Sequence, residues 1–341
     1  MAINEHFSQS AQSDDSPLQE LNRFEKSLRE LFREKLANVL ESQVADNTNP
    51  IDIVQARHLS VLKDLAAALA PGAHKAAIFF DHEKALPVSV DYLFHSFQES
   101  LVRLRGETGT PISPKDIFDA LADEHFDTDL ATSFRLWLTF ASIADYHHVQ
   151  RTTRLSVNIV PHDLDSNEFR DKLDQGLTIF SKCGFSPLIL EATEYDPWKR
   201  ARRLFLKEMA EKHEVLVAID DYGAEDGFNY KDSLKRFARD IPGPLIVKLD
   251  GKLVTDFIEN RNENLVERLH EIQKICPDAV VVAEWMPTIE DIPALRRRLT
   301  EYGVGDMIGL VQSVYLQNET PSSIIRKLDR LEALEPPQPE I

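Results

Sequence analysis

Five short apolar runs in this chain each end in a side chain able to hold a cation or move a proton. Arg154-Leu155-Ser156-Val157-Asn158 ends in an amide, and Leu188-Ile189-Leu190-Glu191 in a carboxylate. Val215-Leu216-Val217-Ala218-Ile219-Asp220-Asp221 ends in two carboxylates, Leu245-Ile246-Val247-Lys248 in an ammonium, and Val280-Val281-Val282-Ala283-Glu284 in a carboxylate again. Runs of this length bounded by turn residues read as buried parallel strands. When barrel strands all carry a polar residue at the C-terminal end, those residues meet in one bowl, where barrel enzymes hold their sites. The pattern points to metal-assisted chemistry, or to the remnant of it.

The chain's 341 residues suffice for one α/β barrel and an appendage, since such a barrel takes about 250. A net charge of −18 argues against non-specific attraction to nucleic acid or to an anionic membrane. A small anionic ligand would need local basic groups or a metal ion to offset that field. Cys183 and Cys276 form no CxxC pair, and so low a thiol content fits a reducing cytoplasm. Met1 to His6 show no secretory signal, and no apolar stretch approaches membrane-spanning length, so no membrane insertion is expected.

Residues 1–15 are polar and are expected to be a disordered tail. Residues 16–72 read as a helical segment. Its first helix opens with Ser16 as N-cap, Pro17 and Gln19, and stops at Asp46-Asn47-Thr48-Asn49-Pro50. A second helix is expected from Ile51 to Leu69. This pair is either a dimerisation or signal-input module, or a hairpin packed on the rest of its own chain. The barrel is placed at 75–330 and a polar tail at 331–341. At its start, residues 76–80 and 88–93 read as a β-hairpin, with charged Asp81-His82-Glu83-Lys84 between the strands. Helices are expected around 113–122 and 130–149. Strand–helix alternation from Asn158 to Val311 then implies parallel pairing with right-handed crossovers.

Taken together, Ser156-Val157-Asn158, Leu190-Glu191-Ala192-Thr193-Glu194, Asp220-Asp221-Tyr222-Gly223, Val247-Lys248-Leu249-Asp250 and Val282-Ala283-Glu284 resemble the EAL family. Each motif is weak alone; their shared order is specific. Alone, Glu191 or Asp220 could merely cap a helix, Lys248 be a solvated strand end, and His147-His148 a helix-surface pair. The family consists of bacterial cyclic di-GMP phosphodiesterases and non-catalytic receptors derived from them. The resemblance implies a (β/α)8-like, TIM-type barrel with one antiparallel strand near its start. It also implies Mg2+ or Mn2+ held by Asp91, Asn158, Glu191, Asp220 and Asp221, all oxygen donors suited to those ions. By the same resemblance, Lys248 contacts the attacking water, Glu284 lies near a second metal, and Glu194 braces the loop after Asp221. His95 and Asp221 fall at the substrate.

Several departures bear on activity. The signature Glu-Ala-Leu aligns with Asp91-Tyr92-Leu93, which shortens the metal carboxylate by about 1.5 Å. The phosphate-gripping Arg aligns with His95, a single donor in place of a fork. The family Gln near the last strand has no counterpart at Ile308 or Gly309, with Gln312 a few residues late. Glu225 and Asp226 add charge to the loop after Asp221, the first-strand Gln-Pro is missing at Phe79-Phe80, and Trp285 replaces a Gly after Glu284. These departures favour a weakly active or inactive regulatory module working through nucleotide, protein partner or homodimer. The alternative is an active phosphodiesterase opening cyclic di-GMP to pGpG.

Overall fold

The computed structural model describes residues 15–45, 53–71, 77–106, 108–123, 129–147, 153–193, 197–224 and 230–333. Helices α1 (Asp15–Ala45) and α2 (Ile53–Leu69) come first. Strands β1 (Ala77–Pro87) and β2 (Phe97–Arg105) follow, joined through a 3-10 turn at Val90–His95. After the two-residue β3 (Pro111–Ile112) come α3 (Pro114–Leu121) and α4 (Asp129–His147). Alternation then runs through β4 (Arg154–Ile159), α5 (Asn167–Lys182), β5 (Ile189–Ala192), α6 (Arg200–His213), β6 (Leu216–Tyr222) and α7 (Tyr230–Asp240). It continues with β7 (Ile246–Leu249), α8 (Gly251–Ile258), α9 (Asn264–Ile275), β8 (Val280–Ala283), α10 (Asp291–Glu301), β9 (Ile308–Gln312) and α11 (Pro321–Ala333).

The strands lie in the order β1-β9-β8-β7-β6-β5-β4-β2-β3, and a further β1–β2 pairing closes eight of them into a barrel. Only β1 runs against its ring neighbours; β2 and β4 through β9 pair in parallel. The expected (β/α)8-like barrel with one antiparallel strand and an N-terminal helical segment is what the chain forms. Strands β5, β7, β8 and β9 are buried along their whole length, which explains their continuous apolar sequence.

The first hairpin differs from its expected form. Asp81 to Lys84 lie inside β1, and the partner strand begins at Phe97; residues 90–95 are the 3-10 turn instead. Charged residues here look like a turn because one face of β1 continues into the polar end of the barrel. Helix α3 begins as read, its Asp116 N–H donating to Ser113 Oγ at 3.1 Å. The tail at 1–14, the helix stop at 46–50, and residues 334–341 lie outside the described residues.

Inside the ring, Ala85, Phe97, Ile189, Ala218, Ile246, Val280, Val282 and Leu310 pack as a floor drawn from β1, β2 and β5 through β9. Outside it, α1 lays Leu21, Phe24, Leu28, Phe32 and Leu36 against α4 and α5, and these residues are buried. Phe32 stacks on Trp137 at 6.2 Å, and Trp137 Nε1 donates to Glu25 Oε1 at 2.8 Å. The apolar stripe of α1 is thus buried within the chain.

Helix α5 approaches α4 through Gly176. An alanine Cβ there would fall 2.0 Å from Phe140 Cζ, and Phe140 is itself fixed edge-on against Phe24 at 5.0 Å. Overpacking of this kind costs about 1–3 kcal/mol, against about 1 kcal/mol of helix propensity regained. With a contact as close as 2.0 Å the upper end of that cost applies, so Gly176→Ala should lower stability by about 2 kcal/mol in urea unfolding. An unchanged midpoint would show that the two helices can part freely.

Candidate active site

The site follows from strand periodicity. On strand after strand, an apolar floor residue is followed two positions on by a polar one: Phe97 and Glu99, Ile189 and Glu191, Ala218 and Asp220. The pattern repeats with Ile246 and Lys248, Val282 and Glu284, and Leu310 and Gln312. Side chains two apart share a face, so the polar members form a layer directly above the floor. On β4 that layer holds Asn158. On reversed β1 it holds Glu83, cross-strand from Glu99 as Ala85 is from Phe97.

At its centre is the Lys248 ammonium, 1% exposed. Asp220 Oδ1 lies 2.8 Å from Lys248 Nζ, Glu99 Oε2 and Glu284 Oε1 lie at 2.9 Å, and Glu191 Oε2 at 3.1 Å. Glu99 also accepts from Gln312 Nε2 at 2.7 Å and from Asn158 Nδ2 at 3.1 Å. Ser156 Oγ donates to Glu191 Oε1.

One buried cation facing four carboxylates leaves uncompensated negative charge in a medium that solvates it poorly. The ionisations adjust accordingly. Burial alone would lower Lys248, but Asp220, Glu191, Glu284 and Glu99 hold it well above its ordinary value. Burial works against ionised Glu99 too, yet Lys248, Gln312 and Asn158 keep it below the usual carboxylate range. Glu191 is pushed well above that range by burial and by Glu99. Burial lifts Glu284 to about 8, against the pull of Lys248 and with repulsion from Asp220. Burial and Asp220 raise Asp221 to about 6. Carboxylates this basic hold protons where no other cation neutralises them.

The donor set fits a divalent metal. Asp220, Asp221 and Glu284 can bring oxygen atoms within 4.8 Å of one another, and Asn158 Oδ1 is buried without a hydrogen-bond partner. Consecutive strand residues ordinarily face opposite ways. Here the β6–β7 register shifts between Ile219 and Tyr222, and Asp221 adopts a left-handed φ of 49°. That irregularity turns Asp221 toward the same rim as Asp220.

Of the residues singled out from sequence, the structure gathers Asn158, Glu191, Asp220, Asp221, Lys248 and Glu284. It does not gather Asp91 or His95. Both belong to the Val90–His95 turn, which enters β2 at Phe97, its N-terminal end, and so lies at the opposite rim. Asp91 is exposed; the His95 ring packs edge-on to Tyr92 at 5.9 Å. Glu194 and the Glu225-Asp226-Gly227 loop lie outside the described residues.

At the rim where the sequence reading expects the carboxylate of Asp91, the structure places Glu99, in Glu99-Ser100-Leu101 with Arg103 two residues beyond. Gln312, taken as displaced, is buried in the cluster. Glu83 was missed altogether; burial and Glu99 raise its carboxyl. The spacing of Phe97 and Glu99 repeats that of the other strands and was the available signal.

A closed barrel with an acid-lined rim around one lysine defines the class of fold and site. The EAL domain family model matches residues 95–310, and the chain belongs to that family. It is similar to the probable cyclic di-GMP phosphodiesterase PdeA of Escherichia coli K12, at 26% identity over 223 residues. That match covers 63% of this chain and 28% of PdeA, so the chain spans little more than a quarter of that relative. Among solved structures, the EAL domain of Xanthomonas citri FimX in complex with c-diGMP superposes with a TM-score of 0.54 at 17% identity. That match covers 77% of this chain and 92% of the other. A second FimX EAL domain gives 0.53 at 16% identity, covering 79% and 96%. At such identities these structures speak for the fold.

Raised carboxyls fix the sign of a pH effect. Asp221 and Glu284 bind protons more tightly folded than unfolded, so their contribution is complete below about pH 4. It is lost as pH rises through about 6 for Asp221 and about 8 for Glu284. Metal-free protein should therefore melt at progressively lower temperature from pH 5 to 8. Added Mg2+ or Mn2+ should raise the melting temperature more at pH 8 than at pH 6. A cation effect independent of pH would show that these carboxylates are not ligands.

Proposed function

We propose that the chain is an active, metal-dependent phosphodiesterase that opens cyclic di-GMP to linear pGpG. The observation that carries this reading is the convergence of Glu99, Asn158, Glu191, Asp220, Glu284 and Gln312 on one rim around Lys248. Resemblance to a probable cyclic di-GMP phosphodiesterase supports the substrate. Three departures that favoured an inactive module lose their force. Asp91 and His95 are not at the rim, Glu99 supplies a full-length carboxylate, and Gln312 supplies the amide.

Glu99, Asn158, Glu191, Asp220, Asp221 and Glu284 would hold Mg2+ or Mn2+. Such ions, when bound, polarise the phosphodiester and acidify a water molecule. Lys248 stays charged, because its neighbours hold its proton. It therefore serves as a fixed cation toward charge developing on a phosphoryl oxygen and as a donor that orients the nucleophile. Glu191 and Glu284 must give up their protons for a metal to enter, so binding should release protons. Asn158 and Gln312 fix the Glu99 carboxylate in place, which spares reorganisation as charge builds.

With Mn2+ and cyclic di-GMP, the purified chain should form pGpG. Glu191→Gln keeps the side chain's shape but removes its charge, and should lower kcat by at least about a hundredfold. Wild-type protein that binds nucleotide yet forms no pGpG would leave the regulatory module as the correct reading.

One observation favours weak activity: Arg103 Nε donates to Asp81 Oδ2 at 3.0 Å, which engages the guanidinium that would grip a phosphate. Both side chains are partly exposed, at 34% and 47%, and pairs of that kind contribute under about 1 kcal/mol. A substrate phosphate can therefore compete for Arg103. Asp81→Ala should lower KM by up to about fivefold with little change in kcat. A raised KM would mean that Asp81 orients Arg103 for the substrate.

A further inference from the structure

Trp285 follows Glu284 directly, in the loop that leaves β8. Its backbone is left-handed, with φ 53°, a conformation that strains a bulky residue and suits glycine. Burial does not repay that strain, since the residue is 69% exposed. The ring is nonetheless supported. It lies on Gly251 at the start of α8, where a Cβ would fall 2.4 Å from Trp285 Cγ. The loop is pinned on its other side by Met286, which is buried and whose N–H donates to the Gln312 carbonyl at 3.4 Å. A flat, largely solvent-facing indole is thus held next to Glu284, between the ends of β7 and β9. Strained residues persist where the surrounding structure over-determines them, and they cluster at active sites and ligand clamps.

We propose that Trp285 is a substrate-binding residue that stacks on a purine base of a cyclic dinucleotide whose phosphodiester reaches Glu284 and Lys248. This rests on the phosphodiesterase reading and adds the element that recognises the base. The acid cluster itself offers nothing to an aromatic ring: its layer consists of carboxylates, amides and an ammonium. An indole presents the complementary surface, and stacking needs no hydrogen-bond match. Trp137 and Trp198, 5% and 6% exposed, are packed in the protein interior, so indole quenching by a nucleotide reports on Trp285.

The experiment titrates the full chain with cyclic di-GMP in the presence of Mn2+, reading indole fluorescence together with KM and kcat for pGpG formation. Nucleotide should quench the wild-type signal. Trp285→Ala should raise KM about tenfold or more, with kcat changed less than about twofold, and Trp285→Phe should restore most of the affinity. Trp285→Gly relieves the left-handed strain, so it should melt no lower than wild type yet show the same rise in KM. An unchanged KM in both the Ala and Gly variants overturns the proposal. So does a rise in KM that only accompanies a lowered melting temperature. Quenching without pGpG formation would reject the hydrolase and keep the stacking. Wild-type chain that binds no cyclic di-GMP would reject both.

Discussion

The molecule is organised around one buried ammonium that cannot satisfy the carboxylates it attracts. Lys248 contacts Asp220, Glu99, Glu284 and Glu191 within 3.1 Å, and a single positive charge cannot neutralise them. Burying such a group is costly unless more positive charge arrives. Protons supply it in the metal-free protein, which is why Glu191 and Glu284 lie so far above the usual range. A divalent ion would supply it more completely. The barrel beneath, with its apolar floor and fully buried strands, provides the rigidity that keeps mutually repelling groups together.

Much of this was legible before any coordinates. The apolar runs ending at Asn158, Glu191, Asp221, Lys248 and Glu284 mark the parallel strands and their polar ends, because buried parallel strands leave an uninterrupted apolar record, and the family resemblance implies their closure into a barrel. The first hairpin was not legible in the same way. In β1, Asp81, His82, Glu83 and Lys84 are consecutive polar residues within a strand, and local sequence treats such a cluster as a turn. With the turn read there, the signature tripeptide falls on Asp91-Tyr92-Leu93, which the structure places at the rim opposite Glu99 and Gln312. The register that distinguishes Glu99 from Asp91 comes from pairing with β4 and β1, contacts that no local pattern encodes.

Two of the four left-handed non-glycine residues among those described lie where the chemistry would occur. Asp221 and Trp285, both left-handed, end or follow strands at the same rim. Regular pleating would point Asp221 away from Asp220, and glycine would serve better at 285 for stability alone. Strain at the rim is therefore supported by the packed layer below it, a division of labour in which the scaffold tolerates what the site requires.

Glu99 shows how far apart the sources of this rim are. Its carboxylate is bound by Lys248, 149 positions away, and by Gln312, 213 positions away. The second link spans nearly the whole barrel in sequence, from the second strand to the last, although the two strands flank β1 in the ring. No fragment that stops short of β9 can therefore hold Glu99 as the intact chain does, and a nascent or proteolysed barrel carries the acidic residues without their geometry. The rim takes its geometry only once the cylinder has closed, so the seam between first and last strands acts as a built-in check that the whole domain is present.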